Sequence, residues 1–333
     1  MKVYFSIDSI PAFKKAVVTI GTFDGVHTGH KSILEQLKRE AARIGGETVI
    51  ITFHPHPRKV IVSGQPGIQL INTIDEKIEL LDKNGIDHLV VVPFTDAFAQ
   101  QTPEEYIEQF LVEKFHPHTV IIGYDHRFGK NRRGDYKLLE EYSQRLGFSL
   151  MEIPAHLIND NTVSSTRIRE AILQGNTDVA NTLLGYDFFF EGTVVDGNKL
   201  GRTLGYPTAN LRIENEEKLI PGNGIYAVQA IIGKRQTANG KHETANMEGQ
   251  RAEGKGLRIL NGMMSIGVRP TIGGTDRVIE VNLFDFNENI YGATLRVYIK
   301  KYLRSEVKFN GLEALVEQLV KDKEDTLKVL GNK

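Results

Sequence analysis

The rhythm of apolar and polar positions changes once along this chain. Between residues 17 and 184, short β-branched runs alternate with stretches of helical period. Val17, Val18 and Ile20 read as a buried strand ended by Gly21. From Lys31 the period becomes helical, with Ile33, Leu34, Leu37 and Ala41 on one face. Residues 48–53 form a second β-branched run, which meets His54-Pro55-His56-Pro57. Two prolines there should stop either regular structure. Residues 75–84 read as a helix with Ile78 and Leu81 inward and Gly85 as its stop. A strand follows at 89–92. Thr102-Pro103-Glu104-Glu105 then spells a capping box with proline at the first helical position. Ile107, Phe110, Leu111 and Phe115 give that helix its buried stripe. Strands at 119–122 and 148–153 flank a helix at 136–146, and a helix at 176–184 is ended by Gly185.

Past Gly185 helices almost vanish. Short alternating strands are expected at 188–195, 225–232, 257–266, 278–284 and 294–302, the pattern of a sandwich or small barrel. One amphipathic helix closes the chain, with Leu312, Leu315, Val316 and Leu319 expected to face inward. The polar, glycine-rich tract 233–256 reads as an exposed hairpin connection. The switch predicts an α/β domain over 1–184, a doubly wound parallel sheet, and an all-β domain over 185–333.

Composition narrows the field only a little. The 333 residues suffice for two domains. Lys+Arg is 41 against Asp+Glu 42, so no general nucleic-acid or membrane-surface binder is suggested. Cysteine is absent, which excludes disulfides, thiolate metal sites and a cysteine nucleophile, and fits a reducing cytoplasm. The N-terminal residues do not form a signal peptide, and no apolar run approaches the ~20 residues that span a bilayer.

The chemistry of the first half gathers at strand ends. Gly21-Thr22-Phe23-Asp24-Gly25-Val26-His27-Thr28-Gly29-His30 lies between a strand and a helix, where free backbone N–H groups favour a phosphate. The spacing fits neither the dinucleotide-binding fingerprint nor the Walker loop. Alone, His27 and His30 could be ordinary turn residues. His54 and His56 stand at the carboxyl end of the next strand, where open α/β sheets bind ligands. Gly123-Tyr124-Asp125-His126-Arg127-Phe128-Gly129 begins a charged, glycine-punctuated loop at another strand end. Its basic residues could hold a triphosphate or a flavin phosphate. Ser164-Ser165-Thr166-Arg167-Ile168-Arg169 opens a helix, and serine there caps free N–H groups.

H-x-G-H after a first strand resembles the signature of the nucleotidyltransferases, and T-F-D-G-V-H resembles their FAD synthetase branch. P-H-P, G-x-D-x-x-F-G and S-S-T-x-I-R resemble that branch's further motifs, in the same order. His126 stands where many relatives carry an aromatic residue. The resemblance implies that His27 and His30 stabilise charge on the transferred phosphoryl group. It implies that Gly21, Phe23, Asp24, Gly29, Ser165 and Thr166 hold ATP, that His56, Asp125 and Arg127 contact flavin, and that Arg169 stabilises the transition state or the leaving pyrophosphate.

In the second half, Gly201-Arg202-Thr203-Leu204-Gly205-Tyr206-Pro207-Thr208-Ala209-Asn210-Leu211 carries two glycines able to wrap phosphate oxygens. Thr208 and Asn210 offer neutral oxygens suited to Mg²⁺ shared with substrate phosphates. Glu280 interrupts the apolar strand Val278-Ile279-Glu280-Val281-Asn282-Leu283. A carboxylate there is either on the solvent side or placed in a site. These segments resemble the riboflavin kinases. The resemblance implies phosphate binding at Gly201 and Gly205, metal binding at Thr208 and Asn210, and a general base at Glu280. Together the two halves resemble the bifunctional riboflavin kinase/FAD synthetases, which implies ATP, Mg²⁺, riboflavin and FMN as the small molecules handled. Two rivals are a nucleotidyltransferase with another acceptor and a flavin-sensing module with decayed catalysis. The attached kinase motif argues against the first, and the full set of reactive side chains argues against the second.

Overall fold

The computed structural model describes residues 1–61, 67–123, 126–153, 163–197, 200–236, 242–243, 258–271 and 274–331. The chain divides into two compact units, Met1–Arg167 and Ile168–Lys333.

The first unit is built on a parallel sheet. Its strands are β1 (Lys2–Tyr4), β2 (Val17–Ile20), β3 (Thr48–His54), β4 (His88–Pro93), β5 (Thr119–Gly123) and β6 (Ser149–Ile153), in the order β1-β4-β3-β2-β5-β6. All pairings are parallel. All four residues of β2 are buried, in keeping with the lack of apolar–polar alternation in Val17, Val18, Thr19 and Ile20. Helix α1 (Thr28–Ile44) packs against β2, β3 and β5. Helix α2 (Ile74–Lys83) leads into β4, and α3 (Tyr136–Leu146) packs on β6. The helical stretch 103–115 turns π-helical over Tyr106–Val112; its Ile107, Phe110, Leu111 and Phe115 join the core as expected, and Tyr106 joins them. The chain winds from β2 through β3 to β4 on one side, then resumes at β5 and β6 on the other. That reversal opens a crevice at the carboxyl ends of β2 and β5, the usual ligand position of such sheets.

Several sequence expectations shift in detail. Helix α1 starts at Thr28 rather than Lys31, because the His27 side chain accepts the His30 backbone N–H and caps it. Pro57 does not end regular structure. It opens a short helix, Pro57–Ile61, since proline suits a first helical position where no N–H is needed. On α2 the buried positions are Glu76, Lys77, Leu80 and Leu81, with Ile78 only half-buried.

Helix α4 (Ser165–Leu173) runs across the division between the units, and α5 (Thr177–Leu184) follows it. The second unit is a closed antiparallel barrel. Its strands β7 (Phe189–Val195), β8 (Ala209–Arg212), β9 (Gly224–Gln236), β11 (Ile259–Thr271), β12 (Gly274–Leu283) and β13 (Ala293–Arg304) pair in the ring β9-β11-β12-β8-β7-β13, and β13 returns to β9. The two-residue strand β10 (His242–Glu243) pairs antiparallel with the end of β9. Most of the tract 233–256 otherwise lies outside the described residues.

Helix α5 belongs to this unit. The Asn181 amide donates to the Ile299 carbonyl at 2.9 Å and accepts the Phe188 N–H at 2.8 Å. Helix α6 (Leu312–Leu330) closes the barrel. Its inward face differs from the expected one: Leu315, Val316 and Leu319 are half-buried, Asp322 and Thr326 are buried, and Leu312 is 57% exposed. The helix begins only at Leu312, so its first turn overhangs solvent before the packed face starts.

Candidate functional site

The turn between β2 and α1 is held under local strain. Phe23 and Val26 take φ values of 48° and 36°, a region costly for residues with a Cβ and severe for β-branched valine. Gly25 takes φ 91°, as glycine does freely. The Phe23 ring folds back so that a Cβ on Gly21 would lie 3.1 Å from it. Asp24, 1% exposed, fixes this shape: its Oδ1 accepts the backbone N–H groups of Ile71 at 3.0 Å and Asn72 at 3.3 Å. The Asp24 carbonyl accepts from the Ser165 hydroxyl at 2.9 Å. Two motifs separated by 141 residues therefore meet.

His27 and His30 stack with ring centroids 3.7 Å apart and 14° between planes. His27 Nδ1 accepts the His30 N–H at 3.3 Å, which assigns the proton of a neutral His27 ring to Nε2 and makes that atom a donor. Burial, then the neighbouring His27, then Lys77 hold the His30 pKa well below its ordinary value. His30 is therefore neutral near pH 7. Its Nδ1 is buried and has no hydrogen-bond partner among the described residues. An unanswered polar atom beside a helix N-terminus, where first-turn N–H groups lack intrahelical acceptors, is a place for an anionic ligand. Gly29 lies buried in that first turn.

The remaining residues expected at this site scatter in environment. His56 is buried, and its Nδ1 accepts the Arg58 N–H at 3.2 Å, which supports the short helix. Arg127 is ion-paired with Asp135 at 3.0 Å across the loop before α3. Phe128 is buried and stacks on Tyr106, and the His126 ring also stacks against it with centroids 5.8 Å apart. Asp125 lies outside the described residues. Thr166 is exposed near the start of α4, and Arg169 stands half-buried one turn later. Sequence reading passed over Lys77, which is 6% exposed and donates to the Thr22 carbonyl at 2.7 Å. Its position four residues before Leu81 on α2 was the available signal, since i and i+4 share a helix face.

In the barrel, a cavity of about 300 Å³ brings Gly201, Thr208 and Glu280 together with Ser265, Asn282 and Leu319. Strand β12 alternates: Ile279, Val281 and Leu283 are buried, while half-buried Glu280 shares the other face with Asn282. Glu280 is directly opposite Asn210 on β8 and Ser265 on β11. Asn282, which the sequence reading left unassigned, donates to the Pro207 carbonyl at 2.7 Å and so fixes the segment entering Thr208. Its signal was the period of two from Glu280. Gly201 lies in the short helix Leu200–Thr203, where a Cβ would come within 2.3 Å of the Tyr206 carbonyl. Gly205 takes φ 82°. The Asn210 amide lies against Gly197, where a Cβ would meet its Nδ2 at 2.0 Å.

Among the described residues no cluster of three His, Cys, Asp or Glu could hold a metal ion. Thr208 and Asn210 offer neutral oxygens, which suit Mg²⁺ when substrate phosphates complete its shell. Such a donor set fits a metal that arrives with a nucleotide.

A parallel sheet with stacked histidines at its switch point, joined to a barrel with a carboxylate-lined cavity, defines a two-unit nucleotidyl- and phosphoryl-transfer enzyme. The FAD synthetase family model matches residues 9–167 and the riboflavin kinase model matches 184–330. A bifunctional riboflavin kinase/FMN adenylyltransferase of Bacillus subtilis (strain 168) is 34% identical, over 96% of this chain and 93% of that protein. One from Listeria monocytogenes is 35% identical, over 93% and 91%. The chain belongs to this family of bifunctional riboflavin kinase/FMN adenylyltransferases. A crystal structure described as a macrolide-efflux protein from Streptococcus pneumoniae is 29% identical, with a TM-score of 0.80 over 98% of both chains. No helix among the described residues here is long and apolar enough to cross a membrane.

Proposed function

We propose that the two groups of residues described above carry the family's two reactions, adenylylation within 1–184 and phosphorylation within 185–333. In the barrel, Glu280 accepts the proton of riboflavin's terminal ribityl hydroxyl. The oxygen then bonds to the γ-phosphorus of ATP, the bond to the β-phosphate bridge breaks, and FMN and ADP form. Gly201 and Gly205 shape the loop around the phosphates. Thr208 and Asn210 are the residues for Mg²⁺, which would neutralise phosphate charge when bound. Leu315, Leu319 and the methionines Met263 and Met264 supply an apolar wall of the cavity, suited to the flavin ring.

In the parallel-sheet unit, a phosphate oxygen of FMN bonds to the α-phosphorus of a second ATP and pyrophosphate leaves. The α1 N-terminus and the Nε2–H of His27 donate to the charge that builds there, and neutral His30 completes the pair. Asp24 and Ser165 hold the turn in register. Arg169 steadies the leaving pyrophosphate, Thr166 contacts the nucleotide, and His56, Asp125 and Arg127 approach the flavin. Positioning and charge stabilisation carry both steps, since neither forms a covalent enzyme intermediate. The absence of cysteine and the ordinary charge balance fit work on small molecules in the cytoplasm.

The bond from Ser165 to the Asp24 carbonyl is the observation that carries the assignment, because it joins two motifs of one reaction at one turn. The test is incubation of the protein with riboflavin, ATP and Mg²⁺ and separation of the flavins. FMN followed by FAD is the expected result. Riboflavin left unchanged, with protein that binds it, would leave a flavin-sensing module instead.

A further inference from the structure

A buried lysine is costly, because an ammonium loses its hydration and must find replacement partners. Lys77 is nevertheless only 6% exposed. Its Nζ donates to the Thr22 carbonyl at 2.7 Å and lies 3.5 Å from the Thr52 hydroxyl. Thr52 Oγ1 donates to the same Thr22 carbonyl at 3.2 Å. Thr22 sits in the strained turn, two residues before Asp24. Helix α2 is thus tied to the turn twice, by Lys77 on Thr22 and by Asp24 on the N–H groups of Ile71 and Asn72 just before the α2 cap.

We propose that Lys77 is a positioning residue for adenylyl transfer: it clamps the Thr22 carbonyl with a charged donor and so keeps the α1 N-terminus and His30 aimed at the incoming triphosphate. The proposal rests on the reading of that turn as the nucleotide site. The charged and titratable groups that face Lys77 are Asp24 in the turn and His30 on α1. Strand β3 faces it with the Thr52 hydroxyl. On its own helix, the Glu76 carboxylate is engaged by the Thr73 N–H in the capping box at 3.0 Å. Burial lowers the Lys77 pKa to about 8, against the opposing pull of Asp24. The ammonium is therefore present below that pH and lost above it. A triphosphate overhead would favour the charged form further.

The experiment uses the full-length protein and its Lys77→Met and Lys77→Arg variants. Adenylylation of supplied FMN is measured as kcat and as kcat/KM for ATP from pH 6 to 10, with riboflavin phosphorylation on the same preparations. Misplacement of reacting groups by about 1 Å costs on the order of 10²-fold. Lys77→Met should lose about that much in kcat/KM while phosphorylation stays within two-fold. Lys77→Arg should recover most of the loss. The parent should show an alkaline fall in kcat/KM near pH 8 that Lys77→Met lacks and Lys77→Arg shifts upward. Adenylylation within two-fold of the parent in Lys77→Met overturns the proposal. So does a loss that leaves the alkaline limb in place, which would mark a structural residue. His30→Ala in the same assay separates the two readings. If it is inactive while Lys77→Met is normal, only the lysine proposal fails; if it is fully active, the nucleotide site itself has been misplaced.

Discussion

At the residue scale, protonation decides what the paired histidines can do. Rings stacked at 3.7 Å would repel strongly if both were charged, and His30 is held neutral by burial first. In the proposed adenylylation, His30 would then contribute a directed N–H dipole rather than formal charge. Removing one such donor costs ~3–4 kcal/mol of barrier, about 10²–10³ in rate. His30→Ala should therefore slow FAD formation from supplied FMN by that factor and leave riboflavin phosphorylation at the parent rate. A variant that makes FAD normally would return His30 to an ordinary helix-start residue. Glu280 poses the matching question in the barrel. Loss of a general base costs ~10²–10⁴, so Glu280→Gln should lose that much kinase activity, keep ATP binding, and adenylylate added FMN normally. Kinase activity surviving within a few-fold would remove Glu280 from the role of base.

At the element scale, the closing helix α6 depends on a charge pair. Arg304, at the end of β13, makes two bonds to the Asp322 carboxylate, at 2.7 Å and 2.6 Å. The Asp322 side chain is 3% exposed and that of Arg304 22%. Removing one partner of a buried pair costs about 3–5 kcal/mol, and the partial exposure of Arg304 puts this case near the lower end. Asp322→Ala should lower the unfolding temperature and raise KM for riboflavin, because Leu315 and Leu319 of the same helix line the cavity. An unchanged melt and KM would show that α6 is held by its apolar contacts alone. Elements of this kind mark the limit of what periodicity reveals. Strands β2 to β5 were legible because burial on both faces demands near-unbroken apolar runs, whereas β1, three residues long with no buried position, was not. Strand β8 was not, since Ala209-Asn210-Leu211-Arg212 sits inside a motif dominated by turn residues. The start of α1 was hidden because histidine, an uncommon cap, closes it. Leu312 misled because hydrophobic spacing says nothing of where a helix leaves the surface it packs on. Glu280, His27 and His30 could be read as candidates from their motifs. Spacing could place Lys77 and Asn282 on a shared face with Leu81 and Glu280, but their partners, like the Ser165–Asp24 bond, lie in distant segments that spacing along the chain does not encode.

At the scale of the whole molecule, the residues proposed for phosphorylation all lie on the barrel and its loops, and those proposed for adenylylation lie on the parallel-sheet unit and the start of α4, so the two reactions should be separable without cutting the chain. FMN is the product of one and the substrate of the other. A His30→Ala chain retains the phosphorylation machinery, and a Glu280→Gln chain retains the adenylylation machinery. Neither alone should carry riboflavin to FAD at an appreciable rate. Mixed in equal amounts with riboflavin, ATP and Mg²⁺, they should do so, with FMN accumulating first and FAD rising after a lag. The lag should shorten as the Glu280→Gln protein is increased, because FMN must leave one molecule and be captured by another. The double variant, at the same total concentration, should accumulate neither product and so control for residual activity. If the mixture stops at FMN while Glu280→Gln still adenylylates FMN added from outside, then FMN made on one chain is not released for another, and the two units of a single molecule act on it in succession.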